Sequence, residues 1–382
     1  MLTTRTRHEY YQSITAIILG NGSNEKIFIL EMRLTSCITR KDKKSVEKFF
    51  FPSIIYAYIF YAFMDNFKEK LQQFHLDIES LNYEISKKVI GQHTMIRDIL
   101  IALFAKGHIL IEAPGLAKTL AVETIAKTLN LNFNRIQFTP DLLPSDLVGS
   151  NIYRPEKSEF VVRKGPIFSN FVLADEINRA PSKVQSALLE AMAERQVSIG
   201  DTTYKLESPF IVLATQNPIE QEGTFKLPEA QLDRFLLKTV VSYPSEEEEL
   251  EILKNIDTIE ESEVKKIFSK TDITDIQKLI GEIEVSENIY TYIKDIVFFT
   301  RNETTITPYI AYPISPRASL SLLKASKVRA CLEGREFVLP EDVKEMAYAS
   351  LRHRIILNYE ALADGVEVDA IIAEILHHVA IT

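Results

Sequence analysis

Four short stretches of this chain carry side chains suited to one reaction, the transfer of a phosphoryl group to water. In the first, the apolar run His108-Ile-Leu-Ile-Glu112 leads into Ala113-Pro-Gly-Leu-Ala-Lys-Thr119, and Val122, Ile125, Ala126 and Leu129 then recur at helical spacing. Strand, loop and helix in that order present backbone N–H groups and a helix N-terminus to an anion. Lys118 would neutralise charge on the β- and γ-phosphates of ATP, and the Thr119 hydroxyl would ligate Mg2+. The loop departs from the usual phosphate-binding pattern, because Glu112 and Ala117 stand at its two glycine positions. In the second stretch, Phe171-Val-Leu-Ala174 reads as a buried parallel strand that ends in Asp175-Glu176. Asp175 can hold the Mg2+ shell, and Glu176 can orient or deprotonate the water that attacks the γ-phosphate. Alone, such a pair would be a strand ending in solvated acids. With Lys118-Thr119 upstream it points to ATP chemistry.

The third and fourth stretches supply further polar groups. Phe210-Ile-Val-Leu-Ala-Thr215 runs into Gln216-Asn217-Pro218, where an amide at a strand tip can bridge the water and the γ-phosphate. Leu227 to Phe235 then precedes a last strand, Leu236 to Val240. Arg234 there is either a surface arginine paired to Asp233 or a group that reaches a neighbouring subunit's ATP.

These stretches need strands that alternate with helices, hence an α/β core with a parallel sheet flanked by helices. Two hairpins are expected to interrupt it. One runs from Asn151 to Lys164 around Pro155-Glu-Lys-Ser158, the other from Val197 to Leu206 through Gly200-Asp201. Pro244 ends the core, and Ser245 with Glu248 forms a capping box that opens an all-helical lid. Ile289, Ile293, Ile296 and Val297 share one helical face. Arg317 starts a helix that stops near Gly334, and Pro340-Glu-Asp342 begins the next, which carries Leu351-Arg-His-Arg-Ile355. His353 reads as structural or interfacial, and His377-His378 as a solvated helix end. Three regions result: an atypical extension over 1–63, an ATP-binding α/β domain over 64–243 and a helical lid over 244–382.

GPIFSNFVLADEINRAPSKVQSALLEAMAERQVSIG (Gly165–Gly200) and FIVLATQNPIEQEGTFKLPEAQLDRF (Phe210–Phe235) resemble the signatures of the MoxR family of AAA+ ATPases, in the branch that also holds magnesium-chelatase motor subunits. The likeness covers about Glu84 to the C-terminus. It implies a P-loop core followed by a lid, with Pro114, Gly115, Leu116, Ala117, Lys118, Thr119 and Leu120 as the phosphate loop (Walker A) and Asp175 and Glu176 as Walker B. Asn217 matches sensor 1, Arg234 the arginine finger and Arg317 sensor 2, while Val89, Ile90, Gly91 and Gln92 resemble the adenine-side segment. Relatives usually carry a glycine between the strand-end Glu and the Pro-Gly, which is missing between Glu112 and Ala113. The family also implies a ring, expected to be a hexamer, whose hairpins line a pore. It further implies partners with von Willebrand factor A domains. This chain contains no Asp-x-Ser-x-Ser stretch, so such a domain would belong to a separate polypeptide. Two other functions compete with a remodelling ATPase: a nucleic-acid motor, and a nucleotide-gated scaffold with little turnover.

Composition weighs on those alternatives. At 382 residues and 46% apolar, the chain has material for several domains and is not disordered. Its net charge of −9 argues against a broad basic surface for nucleic acid. Two cysteines, Cys37 and Cys331, cannot build a disulfide framework and suit a reducing cytoplasm. Charge changes sign near Met64: residues 1–63 carry nine Lys/Arg against five Asp/Glu, and the remainder is acidic. Phe49–Phe63 is an uncharged run interrupted by Pro52 and shorter than the roughly 20 residues of a spanning helix. It could be a membrane anchor, an extra packed segment or translated upstream sequence. The last is the reading adopted, with Met64 as the start. A membrane would then be met only through a client, or through 49–63 if that segment is native.

Overall fold

A five-stranded sheet and the helices packed against it form the core of the computed structural model, which describes residues 14–16, 30–32, 66–113, 118–217, 225–302 and 305–381. The chain divides into two units, Met1–Asn66 and Phe67–Thr382. In the first, β1 (Ile14–Ala16) pairs antiparallel with β2 (Leu30–Met32). The run 49–63, Met64 and Cys37 lie outside the described residues.

The second unit is almost all of α1 (residues 66–86) and everything after it. Leu71, Phe74, Ile78, Leu81 and Ile85 are buried along one face of that helix at three- and four-residue spacing. α2 (His93–Phe104), β3 (Ile109–Glu112), α3 (Lys118–Thr128) and β4 (Phe133–Gln137) follow. α4 (Pro144–Val148) leads into the first hairpin, β5 (Gly149–Arg154) with β6 (Glu159–Lys164). β7 (Phe171–Asp175) and α5 (Ser182–Glu194) precede the second, β8 (Gln196–Ile199) with β9 (Thr202–Lys205). Gly200 turns that hairpin at φ 59°, where glycine has no Cβ to strain. β10 (Ile211–Gln216), α6 (Glu229–Leu232) and β11 (Leu237–Val240) complete the core.

β11, β3, β10, β7 and β4 lie in that order in one parallel sheet. Ile109 pairs with both Leu213 and Leu237, and Glu112 with both Gln216 and Val240. Register therefore puts the strand ends at Glu112, Asp175 and Gln216 along one edge of the sheet, and the strand starts along the other. Parallel strands covered on both faces are apolar throughout, as in FVLAD, where all five residues are buried. Ile109, Ile111, Phe171, Leu173, Ile211 and Leu213 pack on α1 to α3, and that cluster continues into the lid. Leu110, Val172, Ala174, Val212 and Ala214 pack on α5 in a second cluster. Each such Ile, Leu, Val or Phe side chain stabilises the fold by about 1.5–3 kcal/mol on burial, so the sheet is the rigid reference for the groups at its edges.

The lid consists of α7 (Glu246–Lys254), α8 (Ile256–Glu261), α9 (Lys270–Leu279), α10 (Glu287–Asn302), α11 (Pro316–Leu332), α12 (Pro340–Leu351), α13 (Tyr359–Ala363) and α14 (Val368–His378). α7 opens on the reciprocal cap expected of Ser245 and Glu248, with Glu248 N–H donating to Ser245 Oγ at 3.2 Å. Ile289, Ile293, Ile296 and Val297 of α10 are all buried. The lid also carries one short antiparallel pair, β12 (Ile310–Tyr312) with β13 (Ile356–Leu357). An ion pair from Arg97 on α2 to Glu345 on α12 fastens lid to core. Cys331 is buried in α11, and burial pushes its thiol up to about 12, so it is inert. No helix among the described residues is long and apolar enough to cross a membrane.

Candidate active site

The two acids sit at the strand ends and are held by neighbouring strands. Asp175 closes β7. Its Oδ1 accepts from the Thr215 hydroxyl at 2.6 Å, and its Oδ2 accepts from Arg135 of β4, at 2.6 Å from a terminal nitrogen and 3.1 Å from Nε. Glu176, the next residue, adopts φ 58° and ψ 51°, a conformation that costs a non-glycine residue about 1–3 kcal/mol. Its N–H donates to the same Thr215 hydroxyl at 2.8 Å, and its Oε2 accepts from Gln137 Nε2 at 2.8 Å and lies 3.2 Å from Arg179 Nε. The strained turn re-aims the side chain, and these contacts keep it aimed. Arg135, Gln137, Arg179 and Thr215 were not singled out from sequence. A polar, outward alternation in FNRIQ (Phe133–Gln137) was the available signal for two of them.

The same edge brings up the phosphate loop. Glu112 still ends β3, and its carboxylate lies 2.5 Å from Lys238 Nζ on β11, drawn to the neighbouring strand. Ala113 N–H donates to Gln216 O at 3.3 Å, which sets Asn217, one residue on, beside the loop entry. Pro114, Gly115, Leu116 and Ala117 lie outside the described residues. Lys118 opens α3, is buried, and donates from Nζ to Ala113 O at 2.8 Å, so its ammonium points back to the end of β3. Thr119 is half-buried and Leu120 exposed. Val89 is buried and Ile90 half-buried, and Gly91 (φ 69°) and Gln92 (φ 58°) make two consecutive left-handed residues that turn the chain into α2. The positive φ of Gly91 favours glycine, and a Cβ there would also push the Glu248 carboxylate aside where this segment meets the cap of α7.

Arg234 and Arg317 lie elsewhere. Arg234 precedes β11 and is therefore at the strand-start edge. It is exposed, and its guanidinium donates to Leu189 O of α5 at 2.8 Å. One turn further along α5, Met192 O pairs at 3.1 Å with His108 Nε2 at the start of β3, which fixes the location. Asp233 is not Arg234's partner. Its carboxylate takes Arg354 Nε at 2.8 Å and the Ser315 hydroxyl at 2.9 Å, and lies 3.6 Å from Arg317. Arg317, in the first turn of α11, has a side chain 60% exposed. To reach the phosphates of its own chain it would have to travel the length of the sheet, about 10 Å for a four-residue strand. The structure thus brings together Lys118, Thr119, Asp175, Glu176 and Asn217 at one edge, and Arg234 with Arg317 at the other. His353 is interfacial: its Nε2 pairs with Phe235 O at 3.0 Å, and burial holds its basicity well below the ordinary histidine value.

The order of the parallel sheet, acids at a strand end beside a lysine-bearing loop, and a helical lid define an AAA+ ATPase. Residues 108–237 match the model of the ATPase family associated with various cellular activities (AAA), and residues 302–375 match the AAA lid domain. The chain is 46% identical over 310 residues to the chaperone MoxR1 of Mycobacterium tuberculosis, covering 80% of this chain and 82% of that one. It is 44% identical over 304 residues to the Bacillus subtilis protein YeaC, covering 78% and 92%. A crystal structure from Cytophaga hutchinsonii described as an ATPase superposes with a TM-score of 0.79 at 51% identity, covering 84% of this chain and 99% of that one. This chain belongs to the MoxR family of AAA+ ATPases. It is a chaperone-like enzyme that binds and hydrolyses ATP.

Proposed function

We propose that the chain hydrolyses Mg2+-bound ATP within a closed ring, a hexamer, at sites each shared by two subunits. The observation that carries this reading is the separation of the acids from the two exposed arginines by the length of the sheet. A head-to-tail ring places the strand-start edge of one subunit against the strand ends of the next. In that arrangement Lys118 and the loop bind the phosphates, Glu176 accepts the proton of the attacking water, Asn217 orients that water, and Arg234 and Arg317 come from the neighbour to the charge that develops on the γ-phosphate. The donor set fits Mg2+: a hydroxyl from Thr119 and a carboxylate from Asp175 are hard oxygen ligands. The ion would neutralise phosphate charge. Arg135 shares the Asp175 carboxylate and holds it in place.

The work done on each turnover is the remodelling of partner proteins, with a von Willebrand factor A domain protein as client and the cytoplasm as setting. Two observations support partner contact. Relatives include a protein called a chaperone. The first hairpin also presents Ile152, Tyr153 and Phe160 to solvent, Phe160 at 71%. Sedimentation of Glu176→Gln with Mg2+ and ATP tests the ring. A hexamer is expected, and a monomer at all concentrations would contradict it.

A further inference from the structure

The Leu351-Arg-His-Arg-Ile355 stretch at the end of α12 takes no part in the chemistry above, yet Arg354 reaches 121 residues back to the arginine-bearing turn. Its side chain is 2% exposed. Nε donates to Asp233 Oδ1 at 2.8 Å. One terminal nitrogen donates to Phe235 O at 2.7 Å, to Asp233 O at 3.3 Å and to Ser321 Oγ at 3.0 Å. The other donates to Leu236 O at 3.2 Å and to Ser350 O. Backbone on both sides of Arg234 is thus pinned by a single guanidinium, which is itself seated on α11 and α12. The Asp233 carboxylate that it orders also takes Ser315 and lies beside Arg317, so both exposed arginines lean on the same buried fork. His353 adds a second tie to Phe235 O at 3.0 Å.

We propose that Arg354 is a positioning residue for Arg234: it holds the Asp233–Phe235 turn on the lid so that Arg234 presents a charge in a fixed place. The role calls for arginine. Its planar fork offers five donors in fixed directions, whereas lysine offers a point charge on a flexible stem. A shift of about 1 Å in a group that meets the transition state can cost 10²-fold in rate. The proposal rests on reading Arg234 as the group that reaches the neighbour's nucleotide.

A double-variant cycle tests it, on the full chain with Mg2+ and ATP. Arg354→Lys should lower kcat about 10- to 100-fold, with KM for ATP changed less than about threefold, because the lost interaction is made in the transition state. In an Arg234→Ala background Arg354→Lys should cost nothing further, since the residue it aims is gone. Where Arg354→Lys does not fold, Asp233→Asn keeps the side-chain shape and weakens the pairing. It should lower kcat about tenfold and be equally silent in the Arg234→Ala background. Multiplied losses in the double variants, or no loss in either single variant, would show a purely structural Arg354 and overturn the proposal. Wild-type turnover by Arg234→Ala alone would instead remove the reading beneath it, and the role of Arg354 with it.

Discussion

The strand ends and strand starts of the sheet are built on opposite plans. At the ends, each acid is held by its own chain: Asp175 by Thr215 and Arg135, Glu176 by Gln137 and Arg179. At the starts, Arg234 and Arg317 are exposed, and the groups that hold them, Asp233 and Arg354, approach from behind. An acid that must keep one orientation benefits from dense internal contacts. A cation meant for another molecule must be left facing outward on a rigid seat. On the shared-site proposal, one chain carries two halves of a site, finished to different degrees of closure.

The comparison breaks most easily at the strand ends. Glu176→Gln should bind ATP with little change and slow single-turnover hydrolysis by about 10²- to 10⁴-fold, the range for a positioned general base. A wild-type rate would show that the chemistry is done elsewhere.

Acid should sharpen the contrast, because the strand-start edge holds two buried histidines. His108 accepts from Val212 N–H at Nδ1, at 3.0 Å, and pairs with Met192 O through Nε2, which locks a neutral ring. Burial pushes its pKa down to about 4, against 6.5 for the ordinary group, and lowers His353 in the same direction. A folded-state value below the unfolded one means stability that is complete above pH 6.5 and is lost as pH falls from there toward 4. For His108 alone the loss is about 1.4 kcal/mol per pH unit. Urea midpoints at pH 7 and pH 5 should differ accordingly, and His108→Gln should shrink the difference to the share that His353 contributes. Equal midpoints in the parent protein would contradict the burial argument.

Gln137→Ala should have a smaller effect, about tenfold in kcat with unchanged ATP affinity, the low end for a charge-assisted hydrogen bond. A change in affinity without a change in kcat would place Gln137 outside the catalytic contacts. The smallest effect concerns Glu112. Glu112 is held on Lys238 of β11, and a glycine inserted after it should change the Kd for ATP less than tenfold, under about 1.4 kcal/mol. Calorimetry showing a hundredfold tightening would mean that the native loop is cramped.

What sequence could reveal divides along the same line. The strand-end acids were legible because Asp175 and Glu176 cap an unbroken apolar run, and Lys118 follows another at fixed spacing. The two hairpins and the Ser245 cap were legible for the same local reason. Arg135 and Gln137 were missed because β4 is an edge strand whose polar alternation resembles a loop. The partners of Asp233 could not be read at all. The adjacent Arg234 was the obvious candidate, whereas Ser315 and Arg354 arrive from 82 and 121 residues away through the packing of the lid. Spacing encodes local structure, and long-range polar contacts are settled by tertiary packing.

The shared site is tested most directly by mixing two inactive proteins. Lys118→Ala subunits should lack nucleotide but keep both arginines, while Arg234→Ala subunits should bind ATP and turn over about 10³-fold more slowly than the parent, the low end for an arginine finger. In randomly mixed head-to-tail rings, roughly one interface in four pairs an intact loop with an intact Arg234. ATP turnover should therefore recover to about a quarter of the parent rate per subunit. Mixed rings shown to form by mass, with turnover no higher than either variant alone, would place Arg234 on its own chain's ATP and contradict the division of the site between subunits.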